Sequence, residues 1–167
     1  MLVVSLFFAT LILFMILAMF TGAPAVFTKR KTAQKMIDLL DLKPGQNMID
    51  LGSGDGRLII NAGKNNLKAT GIEINPYLVV LSCALILLNG QIGRVKVKWS
   101  SYWNVDLSGF DGVTVYGIPS MMKKLSIKFK KELKKGTPVV SNTFQIPDLK
   151  LVKTEVSGKD KIYLYKI

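Results

Sequence analysis

DLGSGDGR, at residues 50–57, is the stretch that decides the fold of this chain. It follows an apolar pair at 48–49 and precedes an apolar run at 58–60, so it predicts a strand, a glycine-rich turn and the start of a helix. Glycine adopts backbone angles closed to other residues and lets the main chain approach a ligand closely. The amides at the start of the new helix then face that ligand. The stretch therefore predicts a nucleotide-like cofactor at the carboxyl edge of a parallel sheet.

The glycines and the acidic residues indicate which class of cofactor binds. A dinucleotide fingerprint needs a third glycine where Arg57 stands, and a P-loop needs a Gly-Lys-Ser/Thr ending that is absent here. Asp50 ends the predicted strand and suits the α-amino group of an amino acid. Glu73 ends the next apolar strand and can accept both hydroxyls of a ribose. An amino group and a ribose without a phosphate describe S-adenosylmethionine. The alternative is an ordinary strand-turn-helix with Glu73 at the surface.

The chain resembles the class I S-adenosylmethionine methyltransferases through these residues. More narrowly, it resembles a membrane-anchored family that includes the lysine methyltransferases of the ATP-synthase c-subunit and of the adenine nucleotide translocase, with small prokaryotic relatives. The resemblance rests on residues 22–24, 50–57, 73–76 and 117–122 and on Trp103. It implies a methyltransferase fold that closes with an antiparallel hairpin. In that family an acidic or amide residue, which contacts the adenine edge, occupies the position of Ser101.

Alternating strands and helices predict an α/β fold with a doubly wound, Rossmann-like and mostly parallel sheet. With the hairpin, the sheet has seven strands. Helices are predicted at 32–40, 57–65, 76–88 and about 120–135. Strands are predicted at 46–51, 68–74, 95–99, 111–116 and 137–143, and the hairpin at 149–156 and 161–166.

The first residues predict a membrane anchor. Residues 2–27 carry no charge, and about twenty apolar residues in a helix span a bilayer core of roughly 30 Å. The predicted span is 2–20, followed by basic residues at 29–31, which places the following domain on the cytoplasmic side of the cell membrane. A cleaved signal peptide would need a basic start and a shorter apolar core. The predicted division is an anchor at 1–27 and a methyltransferase domain at 28–167.

Composition excludes several kinds of site. The 167 residues carry a net charge of +12, one cysteine and no histidine. A histidine general base, a histidine metal site and an intramolecular disulfide are therefore impossible, and we predict no metal. Cys83 lies in an apolar run and is predicted to be a small buried hydrophobic residue.

The predicted helix near 120–135 is basic and amphipathic. Such a helix can lie on anionic lipid, although a solvated lysine face over a core stripe explains it equally well. Nucleic acid is a less favoured partner, because the one aromatic residue of this helix, Phe129, belongs to the apolar stripe rather than to the lysine face. Residues 117–120 also lack the Asn/Asp-Pro-Pro-aromatic motif of base methyltransferases. The lysines are Lys123, Lys124, Lys128, Lys130, Lys131, Lys134 and Lys135, and the apolar stripe is Met121, Met122, Leu125, Phe129 and Leu133.

Methyl transfer to a lysine needs a neutral amine, and forming it at pH 7 costs roughly 4 to 5 kcal/mol. An apolar or aromatic channel lowers the amine pKa without a dedicated base. The candidate catalytic residues, which could also be core residues, are Trp103, Tyr116 and Pro119, with Phe144 as a further candidate for the lining. The candidate cofactor-binding residues are Asp50, Gly52, Ser53, Gly54, Asp55, Gly56, Glu73, Ile74, Asn75, Ser101 and Tyr102.

Three functions remain open at this point. The first is a lysine methyltransferase acting on a membrane or membrane-bound protein, which the family resemblance favours. The second is a membrane-tethered methyltransferase of a lipid or quinone. The third is a non-catalytic protein that binds S-adenosylmethionine at a membrane.

Overall fold

A computed structural model of the chain describes residues 5–10, 12 and 27–167. Residues 5–10 and 12 are helical. In the rest, a short 3-10 turn spans Tyr102–Asn104. The helices are α1 (Arg30–Leu40), α2 (Arg57–Lys64), α3 (Pro76–Leu88) and α4 (Pro119–Glu132). The strands are β1 (Asn47–Leu51), β2 (Lys68–Glu73), β3 (Val95–Trp99), β4 (Gly112–Val115), β5 (Pro138–Asn142), β6 (Lys150–Ser157) and β7 (Asp160–Lys166).

The strands form one seven-stranded sheet in the order β3-β2-β1-β4-β5-β7-β6. The first five strands are parallel, and β7 is antiparallel to both β5 and β6. The predicted fold class and terminal hairpin are confirmed. Strand order reverses at β1, where β2 lies on one side and β4 on the other. Ligands of open α/β sheets bind beside such a reversal, at the carboxyl ends of the strands.

Apolar stripes on the helices cover the sheet. Met36, Ile37 and Leu40 of α1 are buried in one core cluster, which also contains residues of α2. The predicted α4 stripe packs into a second cluster, in which Leu125 and Phe129 are fully buried. Through these two clusters the helices pack against the sheet. The carboxyl edge of the sheet is where the site is expected.

Helix α4 differs from its prediction in two respects. It ends at Glu132 rather than near residue 135. Lys128 does not belong to a solvated lysine face, because its ammonium lies 2.7 Å from Glu132 and its side chain is only 10% exposed. The Glu132 carboxylate also accepts a hydrogen bond from the Leu107 amide at 3.1 Å, so this ion pair ties α4 to the loop before β4.

The predicted membrane span at 2–20 lies outside the described residues except at 5–10 and 12. Among the residues that the structure describes, no helix combines the length and apolar character needed to cross a membrane.

The prediction that Cys83 is buried is wrong, because its side chain is exposed on α3. Helix α3 turns Ser82 and Ile86 inward and leaves Leu88 79% exposed. Residues 76–88 are apolar on every side, so the sequence contains no polar stripe that marks the outer face.

Gly56 precedes α2 at a position that only glycine fits. Its φ is +80°, and an added Cβ would collide with the Ser82 hydroxyl of α3. We expect Gly56→Ala to lower the free energy of unfolding by about 3 kcal/mol, through backbone strain and overpacking together. Gly90→Ala is the matched control, because Gly90 has φ +64° and nothing within 4 Å of an added Cβ. We expect a loss of about 1 kcal/mol there. Equal losses in urea unfolding would contradict the steric argument.

Candidate cofactor and active site

The glycine loop, residues 52–56, follows β1 and is hydrogen-bonded to the end of β2. The amides of Gly52 and Ser53 both donate to the Ile72 carbonyl, at 2.9 and 3.0 Å. Gly52 has φ +87°, and an added Cβ would meet no atom within 4 Å. The loop backbone therefore borders open space, where a ligand can approach the main chain without obstruction by a side chain.

Glu73 lies opposite this loop with its carboxylate fixed by three backbone amides. Gly54 N donates to Oε2 at 2.8 Å, and the amides of Ile74 and Asn75 donate to Oε1 at 2.9 and 2.8 Å. The residue is only 8% exposed. Each carboxylate oxygen can accept more than one hydrogen bond, so the group is positioned to receive the hydroxyls of a ribose.

Asp50 is a buried carboxyl at the end of β1. Its Oδ1 accepts a hydrogen bond from the Thr114 hydroxyl at 2.7 Å. Burial raises the pKa of Asp50 from 3.8 to about 7, with a further increase from the charge of Glu73, while the Thr114 hydrogen bond opposes the change. A cation beside Asp50 would stabilise its ionised form. The α-ammonium of an amino acid supplies that cation.

Asp50 also sets a pH dependence of stability. Because its pKa is raised in the folded state, its ionisation destabilises the fold as pH rises from about 4 to about 7. We expect Asp50→Asn to raise the free energy of unfolding of the ligand-free protein by about 2–4 kcal/mol near pH 8. Near pH 4, where the wild-type carboxyl is protonated, we expect little difference. Denaturant titrations at the two pH values check this, and a gain that is the same at both would contradict it.

Arg57 contacts both the glycine loop and the segment before α1, residues 27–29. Its guanidinium is 2.6 Å from Asp55 Oδ2, donates to the Thr28 carbonyl at 3.2 Å and lies 4.9 Å from the centre of the Phe27 ring. Phe27 in turn lies over Gly54, where an added Cβ would be 3.3 Å from the ring. Asp55 and Gly56 thus shape the loop and the helix start, while the cation at position 57 holds Phe27 and Thr28 in place.

Asp50, the loop after β1, Phe27 and Arg57 line a small cleft. Glu73, at the end of β2, holds the loop by accepting the hydrogen bond of the Gly54 amide. Ser53 contributes a buried hydroxyl with no hydrogen-bond partner among the described residues. The acceptor groups suit S-adenosylmethionine: Asp50 could hold its ammonium, and Glu73, which is not among the described cleft-lining residues, could accept its ribose hydroxyls. The lining is Phe27, Thr28, Met36, Asp50, Gly52, Ser53, Gly54, Asp55, Arg57, Leu58 and Tyr116.

Three other predicted cofactor residues have local structural partners. Asn75 caps α3 by accepting a hydrogen bond from the Tyr77 amide at 3.0 Å. Ser101 caps the 3-10 turn by accepting one from the Trp103 amide at 3.4 Å. Tyr102 donates its hydroxyl to the Met121 sulfur at 3.4 Å, and burial together with the charge of Glu73 raises the pKa of Tyr102 to about 12. Tyr102 is not among the described residues that line the cleft, and its predicted contact with the cofactor stays a prediction.

The three candidate catalytic residues lie in different surroundings. Tyr116 lines the cleft beside Asp50. Trp103 packs under α4, with the Lys124 ammonium 4.3 Å from the centre of its ring, and it is not among the cleft-lining residues that the structure describes. Pro119 is the exposed first residue of α4. Only Tyr116 is thus brought to the cofactor cleft, and an aromatic channel through Trp103 and Pro119 stays a prediction.

The sequence argument missed Phe27 and Thr114. Thr114 is a polar residue in an apolar strand, and its alternation with Tyr116 could have indicated that both point towards the site. No local pattern marks Phe27, because it reaches the loop only through contacts with Gly54 and Arg57.

Comparison with known proteins gives a consistent family. Residues 50–153 match the model of the ANTKMT methyltransferase domain. A protein-lysine N-methyltransferase of Saccharolobus islandicus is 35% identical, over 86% of this chain and 93% of that protein. The human lysine N-methyltransferase of the ATP-synthase c-subunit is 32% identical over 85% of this chain, which spans only 60% of that protein's length.

A solved structure of the same fold contains the demethylated cofactor. It is an RNA methyltransferase from Salinibacter ruber in complex with S-adenosyl-L-homocysteine, with a TM-score of 0.82, 31% identity and coverage of 85% of this chain and 94% of that one. A precorrin-6y C5,15-methyltransferase from Geobacter metallireducens shares the fold, at 16% identity and TM-score 0.67 over 87% of this chain and 92% of that one. This chain belongs to the ANTKMT methyltransferase domain family and is an S-adenosylmethionine-dependent methyltransferase.

Proposed function

We propose that this chain methylates the ε-amine of lysine in a protein located at a membrane. The proposal rests on the arrangement of Asp50, the glycine loop and Glu73, which suits a methyl donor. The chain is also similar, over most of its length, to named protein-lysine methyltransferases. The mouse adenine nucleotide translocase lysine N-methyltransferase is a further relative, at 33% identity over 86% of this chain. Those relatives support lysine as the acceptor.

Residues of the cleft can align the reactants and exclude water. When bound, S-adenosylmethionine supplies a methyl group already activated on a sulfonium. Asp50 would hold the α-ammonium of the donor and Glu73 its ribose hydroxyls, which would fix the orientation of the donor. Tyr116 and Phe27 supply aromatic surface beside the loop. A lysine amine entering such surroundings loses water, and its pKa falls towards neutrality. Because the chain has no histidine, this desolvation replaces an imidazole base.

The membrane location rests on the sequence of residues 2–31. We propose that residues 2–20 anchor the chain by a single span and that the catalytic domain faces the cytoplasm. The support is the absence of charge at 2–27 and the basic residues at 29–31, which favour retention of this domain on the inner side. Protease added to intact cells should leave the domain uncut. Release of the protein by a carbonate wash would contradict the anchor.

Two other acceptors compete with protein lysine. A lipid or quinone would also be reached from a membrane, and the Salinibacter ruber protein of the same fold is an RNA methyltransferase. A non-catalytic role would leave every fraction unlabelled. Incubation with methyl-labelled donor, native membranes and total RNA, followed by separation of protein, lipid and RNA, distinguishes these outcomes. We expect the label in protein. Label confined to lipid or RNA, or absent from all fractions despite cofactor binding, would contradict the proposal.

A further inference from the structure

Helix α3 presents an apolar face that the described part of the chain leaves exposed. No residue from 76 to 88 is charged, and the side chains turned inward are Ser82 and Ile86. Helices that are apolar on every side are normally buried in protein or in a membrane. An exposed apolar area of this kind marks a site of interaction.

Two further residues extend this face. Ile92 follows the helix and is 69% exposed, and Trp99 at the end of β3 is 66% exposed. The Trp99 indole Nε1 donates to the Ile74 carbonyl at 2.9 Å, so its polar atom is satisfied within the protein while most of its ring is open. Tryptophan in this state suits a boundary between water and apolar material. The α3 patch consists of Val80, Leu81, Leu87, Leu88, Ile92 and Trp99.

Apolar residues near the chain start contact the first turn of α3. Phe7 meets the Tyr77 ring edge-on, with ring centres 5.9 Å apart, and the Tyr77 hydroxyl donates to the Thr10 hydroxyl at 3.2 Å. These contacts bring the helical residues 5–10 to the start of α3. Leu6, Phe7, Phe8 and Ile12 are themselves more than half exposed. Exposed apolar residues of the chain start therefore lie next to the first turn of α3, the helix that carries the α3 patch.

Charge around the α3 patch favours an anionic partner. No Asp or Glu lies between positions 76 and 105, whereas Arg94, Lys96 and Lys98 do and are all exposed. A second copy of this chain would bring these cations against their equivalents, since a twofold interface places the same surface on both sides. Anionic phospholipid headgroups would instead be attracted to them.

We propose that the α3 patch rests on an anionic phospholipid bilayer, with its apolar side chains at the level of the headgroups. This contact is separate from the proposed span at 2–20 and does not depend on which acceptor is methylated. Glu73 directly precedes the turn into α3, so docking α3 also brings the carboxyl edge of β2, and with it the cofactor site, close to the membrane surface. A tether alone would leave the domain free to rotate.

Cys83 gives a direct test, because it is exposed on α3 and is the chain's one cysteine. An environment-sensitive fluorophore on Cys83 of the full chain is observed with vesicles of equal parts phosphatidylcholine and phosphatidylglycerol. We expect its emission to shift to the blue, iodide quenching to fall at least twofold and nitroxide lipids to quench it. The control places the label at the opposite edge of the sheet, on exposed Thr154 of β6, as Thr154→Cys with Cys83→Ser. That label should stay accessible to iodide.

Paired substitutions show whether the patch itself is responsible. Leu87→Gln with Leu88→Gln should restore iodide access to the Cys83 label, without loss of fold because both side chains are exposed. The matched pair Val152→Gln with Val156→Gln, on exposed positions of β6, should not. If the protein bound vesicles while iodide still quenched the Cys83 label, the proposal would be wrong and the anchor would be unaffected. Absence of vesicle binding would overturn it as well. Shielding without vesicles that disappears on dilution would assign the patch to a second copy instead.

Discussion

We expect Glu73→Ala to lower the affinity for S-adenosylhomocysteine at least tenfold. The carboxylate is the predicted acceptor for the ribose, and hydrogen bonds to a charged group contribute on the order of 1.5 to 3 kcal/mol. It also accepts the Gly54 amide at 2.8 Å, so its removal releases the loop that faces the donor. Titration calorimetry measures the loss.

Two variants make the test of Glu73 specific. Glu73→Gln preserves the shape of the side chain and one acceptor oxygen, so it separates loss of charge from loss of packing. Glu155→Ala is the control, because Glu155 lies on β6 and pairs with Lys35 and Lys153 at the surface. It should bind the ligand as the wild type does. Unchanged affinity in folded Glu73→Ala would eliminate the ribose assignment.

The second large effect is expected in the pH dependence of the rate. Without a base that titrates near neutrality, the rate at saturating donor should follow the fraction of neutral amine and rise up to about tenfold per pH unit from about 7 towards 9. Initial rates with labelled donor and membrane protein give the profile. A bell-shaped profile centred near pH 7, or a requirement for added metal, would contradict this mechanism.

Trp103→Ala tests the predicted aromatic channel within the same profile. If Trp103 excludes water from the amine, its removal raises the amine pKa by about one unit and lowers the rate at pH 7 about tenfold. The loss at pH 9 should be smaller, and cofactor affinity should change less than the rate. Val156→Ala is the control, since Val156 is an exposed apolar residue of β6, at the opposite edge of the sheet from β3 and the α3 patch. If the rate fell by the same factor at both pH values, Trp103 would be a packing residue beneath Lys124 and not part of a channel.

Much of the fold could be predicted because local chemistry dictates it. Pro76 begins α3, where a missing amide costs nothing, and Asn89-Gly90 follows its last residue, so the helix has its predicted bounds. The glycine turn between β1 and α2 was equally clear, because its glycines adopt positive φ angles that other residues avoid.

The remaining features depend on contacts between distant residues. Arg57 reaches Thr28 across 29 positions of sequence, and Asp50 meets Thr114 only because β1 pairs with β4. The side of α3 that faces outward, including Cys83, is set by how the helix packs on the sheet rather than by its uniformly apolar sequence. Such features follow from tertiary packing and could not be predicted from local patterns.

One measurement tests the central claim most directly. The full chain is incubated with donor carrying a deuterated methyl group and with native membranes, and the proteins are then analysed by tandem mass spectrometry. We predict deuterated methyl groups on lysine Nε with the wild-type chain, strongly reduced labelling with Glu73→Ala and normal labelling with Glu155→Ala. Label on residues other than lysine, or lysine labelling that is undiminished in Glu73→Ala, would contradict the assignment of this site to lysine methylation.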